Sequence, residues 1–296
     1  MDTPRPTLGF IGLGKVGQSL ARLLQQRGYS VVAVWNRHAE PAERLARDIH
    51  TEASVSPLEV VRAATITFLT VSDDALSGMA GLLSQVNLAG CAVVHTSGAL
   101  DLTVLSALEA SGAMIGSLHP IYPFADVESA LKGLPGATFA LEASHAALGD
   151  DLRQMVSDLD GQVIVIPPGG KPLYHAALVF ASNYGVTLYA LAEQVLRHLN
   201  APPESIRPAL EVLLAGMVAN LQTHSPADAL TGPLVRGDEQ IVHAHLKALL
   251  DYNPAMYDLY RQLALLTLPL VEARGVETAP LRRLLHEGYH DTLDHP

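Results

Sequence analysis

Apolar positions in the first half of the chain fall into short, dense runs separated by stretches of helical periodicity. Leu8-Gly9-Phe10-Ile11 precedes a helical pattern over 16–27, and Val31-Val32-Ala33-Val34-Trp35 follows it. The alternation continues with a weak β-like piece at Ala53-Ser54-Val55 and a helix from Pro57. Next come a continuous β-rich run over 64–71 and helical spacing from Asp74 towards Val86. Ala92-Val93-Val94 and Met114-Ile115-Gly116-Ser117 read as strands on either side of a helix over 102–110, and 137–141 and 163–166 are further strands. Strands alternating with helices predict a doubly wound, mostly parallel α/β sheet.

The pattern changes at Pro167-Pro168-Gly169-Gly170, which reads as a linker. Beyond it the periodicity is helical over 172–199, 203–222, 239–250, 255–272 and 279–292, with no strand. The chain is therefore expected to hold an α/β domain over 1–168 and an all-α domain over 169–296. Pro172 suits the first position of a helix, where its missing N–H costs nothing. A helix over 172–199 would be about 42 Å long. Its middle, Ala176-Ala177-Leu178-Val179-Phe180-Ala181-Ser182-Asn183-Tyr184, is apolar on nearly every face and so must be buried all round. This predicts a homodimer built around that helix, with Asn183 finding a partner across it. The alternative is a central helix buried within one subunit.

Chemistry enters at the first strand-to-helix turn, Gly12-Leu13-Gly14-Lys15-Val16-Gly17. In a dinucleotide-binding βαβ unit the first glycine permits the tight turn. The second lets backbone approach a pyrophosphate, and the third lets helix and strand pack closely. The helix N-terminus offers unpaired N–H groups and its positive dipole end to the phosphates. The first domain is thus expected to be of the Rossmann type. An NAD site normally places Asp or Glu at the end of the second strand, to accept from the ribose 2′-OH. This chain has Trp35, Asn36 and Arg37 there. Asn36 can hydrogen-bond a 2′-phosphate and Arg37 can make charge-assisted contacts to it, with His38 and Arg44 as possible additions. The expected cofactor is NADP(H), held by Gly12, Leu13, Gly14, Lys15, Val16, Gly17, Asn36 and Arg37, with Val71 and Ser72 at the next strand end.

Polar residues gather where the strands end, the place where ligands bind in open α/β sheets. Ser97-Gly98 could present a hydroxyl and N–H groups to a substrate carboxylate or carbonyl, or Ser97 could equally cap a turn. His119 titrates near neutrality in its free form and is a candidate acid–base group. Asp73 reads as a helix cap. Lys171 and His175 lie at the start of the long helix, whose dipole disfavours an imidazolium. His175 therefore suits neutral hydrogen bonding, and Lys171 suits polarising or protonating an oxygen. In the loop from Thr231 to Asp238, Asp238 reads as an N-cap. Arg236 could close over an anionic substrate or simply tie the loop down.

His286-Glu287-Gly288-Tyr289-His290 matches the H-E-x-x-H zinc pattern. Gly288 weakens the helix that would hold both histidines on one face, and the nearest further ligands, Asp294 and His295, are at a terminus. It reads as a chance match, and no metal is expected. The net charge of −11 over 296 residues argues against nucleic-acid or anionic-membrane partners. The sole cysteine, Cys91, cannot form an internal disulfide and fits a reducing cytoplasm. The N-terminus does not read as a signal peptide, and no run reaches the length of a membrane span.

Several segments together resemble one bacterial family. They are Val94-His95-Thr96-Ser97-Gly98-Ala99, Ser117-Leu118-His119-Pro120, Lys171 with Tyr174-His175 and Ser182-Asn183, and Leu230-Thr231-Gly232-Pro233 with Arg236-Gly237-Asp238. It is the Rossmann-like family with a C-terminal helical domain of unknown function, whose members carry the provisional label NADP oxidoreductase. More distantly the chain is similar to pyrroline-carboxylate reductase, β-hydroxyacid dehydrogenases and prephenate dehydrogenase, with a helical half like the C-terminal domain of 6-phosphogluconate dehydrogenase. The β-hydroxyacid resemblance implies that Ser97-Gly98 binds substrate and Lys171 is the general acid–base. Those enzymes carry asparagine where this chain has His175. His119-Pro120 is similar to the histidine–proline of prephenate dehydrogenase. The expected activity is hydride transfer between NADP(H) and a small, anionic carbonyl, imine or alcohol, with Lys171, His175, His119 and Ser97 as catalytic residues. The alternative is a non-catalytic NADP(H) sensor.

Overall fold

The computed structural model describes residues 5–288. Eight strands form one sheet: β1 Leu8–Ile11, β2 Val31–Trp35, β3 Glu52–Ala53, β4 Ile66–Leu69, β5 Ala92–His95, β6 Met114–Pro120, β7 Thr138–Ala143 and β8 Gln162–Val165. Their spatial order is β3-β2-β1-β4-β5-β6-β7-β8. All neighbours run parallel except β6 and β7, which pair antiparallel. This is the mostly parallel, doubly wound α/β sheet that the alternating pattern predicts. The helices between the strands are α1 Lys15–Gln26, α2 Ala39–Ile49, α3 Pro57–Ala63 and α4 Asp73–Leu83. They continue with α5 Ser106–Ala110, which follows a 3-10 turn, then α6 Val127–Gly133 and α7 Ala146–Asp158.

Successive side chains of a strand point to opposite faces, and the core divides accordingly. Leu8 and Phe10 of β1 and Val94 of β5 pack with Leu20 and Leu24 of α1, Leu45 of α2 and Leu152 of α7 on one face. Ile11 and Val93 pack with Val60 of α3 and with Leu76 and Leu83 of α4 on the other.

The remaining helices are α8 Lys171–Ala181, α9 Asn183–His198, α10 Pro203–Thr223, α11 Pro226–Ala229, α12 Glu239–Tyr252, α13 Pro254–Glu272 and α14 Ala279–Glu287. The single helix expected over 172–199 is instead two, α8 and α9, which meet at Ser182, with a φ of −112° and a ψ of −69°. The chain divides into two compact units, Met1–Gly185 and Val186–Pro296. That division differs from the expected one after residue 168, because α8 is bonded into the sheet unit through Lys171. In the second unit Val242 and Leu246 of α12 pack with Tyr257, Ala264 and Leu268 of α13 and Leu281 and Leu285 of α14. Asp238 caps α12 by accepting from the Ile241 N–H at 3.2 Å, as expected of it. Gly288, at a φ of 78°, ends α14, and the rest of the zinc-like motif, Tyr289 and His290, lies outside the described residues. Among the described residues no helix is long and apolar enough to cross a membrane.

Candidate functional site

The glycine turn links β1 to α1 and is braced from both neighbouring strands. Gly12 takes a φ of 93°, a conformation costly for any residue with a Cβ. Its N–H donates to the Trp35 carbonyl of β2 at 2.9 Å. Thr70, just after β4, donates its hydroxyl to the Gly12 carbonyl, and a Cβ on Gly17 would collide with both groups. Close strand-to-helix packing therefore demands glycine at 17. A Cβ on Gly14 would meet nothing within 4 Å. Gly14 is also the N-cap of α1 and supplies no side-chain acceptor, so the first N–H groups of the helix have no side-chain cap. That cradle fits a pyrophosphate.

Asn36 is a brace of this turn: its Oδ1 accepts from the Leu13 N–H at 3.0 Å and its Nδ2 donates to the His38 carbonyl at 3.1 Å. Arg37 is exposed and makes no hydrogen bond or ion pair among the described residues. The cation expected at the end of β2 is thus available to an incoming anion, while the amide beside it shapes the loop. Lys15 is exposed at the start of α1.

Next to the turn, over the C-terminal ends of β4, β5 and β6, lies a cleft of about 190 Å³. Val16, Val71, Asp73, Ser97, Gly98 and His119 are among its lining residues. Ser72, N-cap of α4, is exposed beside them. Ser97 is fixed on all sides. Its N–H donates to His95 Nδ1 at 3.2 Å, and its hydroxyl oxygen accepts from the N–H groups of Ala99 and Leu100 at 3.2 and 3.1 Å. Ser97 lines the cleft, and its hydroxyl donates to no acceptor among the described residues.

Lys171 is the most unusual group of this unit. It has no exposed surface, and its ammonium donates to the Ser97 carbonyl at 2.9 Å and to Ser117 Oγ at 2.8 Å. Glu142 of β7, 6% exposed, puts a carboxylate oxygen 3.9 Å away. Burial pulls the lysine below its ordinary value, and Glu142 opposes that shift. Burial likewise pushes Glu142 up, and Lys171 opposes it. The ammonium lies beneath the Ser97 turn instead of in the cleft.

His119 is turned towards α8. Its Nδ1 lies 2.7 Å from the Tyr174 hydroxyl, and its ring centroid lies 6.5 Å from that of His175. Gly98 sits where the two imidazoles converge: a Cβ there would come within 2.8 Å of His119 Nε2 and 2.9 Å of His175 Cδ2. Burial, followed by the charge of Lys171, pushes the His119 pKa down to about 4. The ring is therefore neutral at ordinary pH. Burial raises Tyr174 to about 12, so its hydroxyl is protonated.

A model of the Rossmann-like domain matches residues 1–120, and a model of the domain of unknown function DUF2520 matches residues 137–267. The chain is a Rossmann-like protein with a DUF2520 domain. Among solved structures it is similar to a Bacteroides fragilis protein provisionally named an NADP oxidoreductase. The two are 27% identical, the match covers 88% of this chain and 96% of that one, and the TM-score is 0.69. The fold is shared with a reductive aminase from Aspergillus terreus solved with NADPH and ethyl levulinate, at 16% identity, 97% coverage of both chains and a TM-score of 0.62. A curated relative, cytokine-like nuclear factor N-PAC of Anopheles gambiae, is 36% identical over 95 residues. Those residues are 30% of this chain and span only 16% of that protein.

Within the sheet unit of this Rossmann-like DUF2520 chain, Ser97, His119, Lys171 and His175 come together, and the glycine turn lies beside them. Asn183 is exposed at the start of α9. Arg236, also exposed, belongs to the second unit. The sequence alone assigns no role to Tyr174 or Glu142. Tyr174 could be found from its spacing, because it is three residues after Lys171 and so shares a helix face with it. Glu142 could be found as the one acid within the apolar run of β7.

Proposed function

We propose that this chain is an NADP(H)-dependent oxidoreductase that moves a hydride to or from a small carbonyl, imine or alcohol. The observation that carries this reading is the cleft of Ser97, Gly98 and His119 placed directly beside the glycine cradle, at the strand ends. The NADP(H) part is supported by Arg37, free and cationic at the end of β2 with no acid beside it, and by the named cofactors of the Bacteroides and Aspergillus structures. When bound, the nicotinamide would supply the hydride in reduction and accept it in oxidation.

The chain's own residues do the rest. Gly12, Gly14 and the first turn of α1 hold the phosphates, with Val71 and Ser72 along the path to the cleft. Ser97, rigid in its turn, offers a hydroxyl proton to the reacting oxygen or nitrogen. His119 meets the same atom as a neutral imidazole, which suits polarising a C=O or C=N bond better than delivering a proton from an imidazolium. Among the described residues that line the cleft, Asp73 is the one acid and there is no lysine or arginine, since Lys171 is enclosed below it. That lining gives no support to the anionic charge expected of the substrate, so the substrate class is drawn without it. Lys171 acts through Ser97 and Ser117 as a positioning residue, and His175 packs beside Gly98.

The homodimer belongs to the same proposal. Leu173 and Phe180 of α8 are 81% and 69% exposed, and Val186 of α9 and Val212 of α10 are 70% and 71% exposed. Exposed apolar side chains in each unit are best covered by a second copy of the chain. The test of the function is a screen of carbonyls, imines and alcohols followed by NADPH absorbance. Turnover with one class supports the reading. NADPH binding with no turnover of any class contradicts it and favours the sensor.

A further inference from the structure

The geometry points to Tyr174 as the residue that positions His119, donating its hydroxyl proton to Nδ1 so that the ring carries its own proton on Nε2, towards Gly98 and the cleft. This rests on the proposed role of His119 in the reaction, and it names the group that makes that role possible.

Two placements fix the ring. Nδ1 is 2.7 Å from the Tyr174 oxygen, and the two rings meet edge to face at 83° with centroids 5.9 Å apart. Nε2 is the atom that a Cβ on Gly98 would approach to 2.8 Å, so the other ring nitrogen looks onto the glycine that lines the cleft. Tyr174 does not line the cleft and reaches it only through His119. A neutral imidazole has one N–H and one lone pair, and the hydrogen bond at one nitrogen decides which is presented at the other. A protonated tyrosine is a donor first, and its partner here is Nδ1. The lone pair of Nδ1 is thereby used, and Nε2–H is left for substrate.

Tyr174 is itself held. Lys171, one helical turn earlier on the same face of α8, is locked beneath the Ser97 turn, and its ammonium lies 5.7 Å from the Tyr174 ring centroid. Anchoring Lys171 therefore sets where Tyr174, and through it His119, can stand. The charged and titratable groups around His119 are Lys171, Tyr174 and His175 from α8, His95 from β5 and Asp73 on the cleft wall. Of these, Tyr174 is the one that hydrogen-bonds the ring.

The test needs no substrate. Protein labelled with nitrogen-15 in its histidine rings is followed by two-bond correlation spectra, with His119→Gln used to assign the signals, both free and with NADPH added. The wild type is expected to show His119 as a neutral ring protonated on Nε2 throughout the neutral range. Tyr174→Phe is expected to give a mixture of tautomers, and a buried amide or hydroxyl at that position, as in Tyr174→Gln, to restore a single form in part. A wild-type ring protonated on Nδ1, or an unchanged Nε2–H signal in Tyr174→Phe, overturns the proposal. The wild-type spectrum alone decides the first point even where a variant fails to fold. A failure of the substrate screen bears on the function and leaves this measurement standing.

Discussion

At Lys171 a full charge sits with no exposed surface, held by the Ser97 carbonyl, Ser117 Oγ and Glu142. Removing one partner of a buried pair leaves the other charge uncompensated, which typically costs about 3–5 kcal/mol. Lys171→Met is expected to lose about that much in urea unfolding, and Lys171→Met with Glu142→Leu to recover most of it. A single variant of unchanged stability would contradict the structural role. His119 and His95 add a pH dependence. Burial lowers them from 6.5 to about 4 and about 3 in the folded chain. Between those values and 6.5 the unfolded chain binds more protons, so stability is complete above pH about 6.5 and falls as pH drops. For His119 alone the loss is about 3 kcal/mol. Urea midpoints measured from neutral to acid pH should show a shallower acid-side decline in His119→Gln. Gly98→Ala is the steric counterpart: its methyl would push His119 and His175 apart. Turnover is expected to fall about tenfold or more with NADPH affinity kept, as a small misplacement in a reacting geometry can do.

At the scale of elements, the glycine turn, β2 and the alternating strands were legible because local rules determine them. Glycine spacing, a period-2 or helical pattern and the missing acid after Trp35 are all visible within short windows. What was not legible depends on partners far apart in sequence. The break at Ser182 divides a helix whose composition reads as continuous. The anchoring of α8 in the sheet unit depends on bonds from Lys171 back to β6 and the loop after β5, and no linker signal reports them. The Tyr174–His119 pair likewise spans distant segments. Asn36 shows another long-range contact: besides the phosphate contact its sequence position suggests, its amide oxygen accepts from the Leu13 N–H across the turn. The proposed cofactor preference therefore rests on Arg37, exposed at the end of β2. Arg37→Ala is expected to weaken NADPH about tenfold, or about 1.4 kcal/mol, and to leave NADH unchanged. The lone tryptophan, Trp35, is two residues away and reports both titrations by its fluorescence. Equal loss for the two cofactors would remove Arg37 from the 2′-phosphate.

For the whole molecule, the apolar exposure of α8, α9 and α10 predicts association. α9 buries no residue within its own chain, and its exposed Val186 and Leu188 are apolar side chains that a second surface would cover. Light scattering on the purified protein should give twice the chain mass, and Phe180→Asp with Val186→Asp should give a monomer. A monomeric wild type would contradict the dimer. The proposed hydride transfer between NADP(H) and substrate at the cleft of Ser97 and His119 is tested most directly by isotope transfer. NADPH deuterated at C4 is incubated with the protein and representative carbonyls and imines, and the products are read by mass spectrometry. The account predicts deuterium on the former carbonyl or imine carbon, and loss of that transfer in His119→Gln. Tight NADPH binding with no deuterium in any product would contradict it.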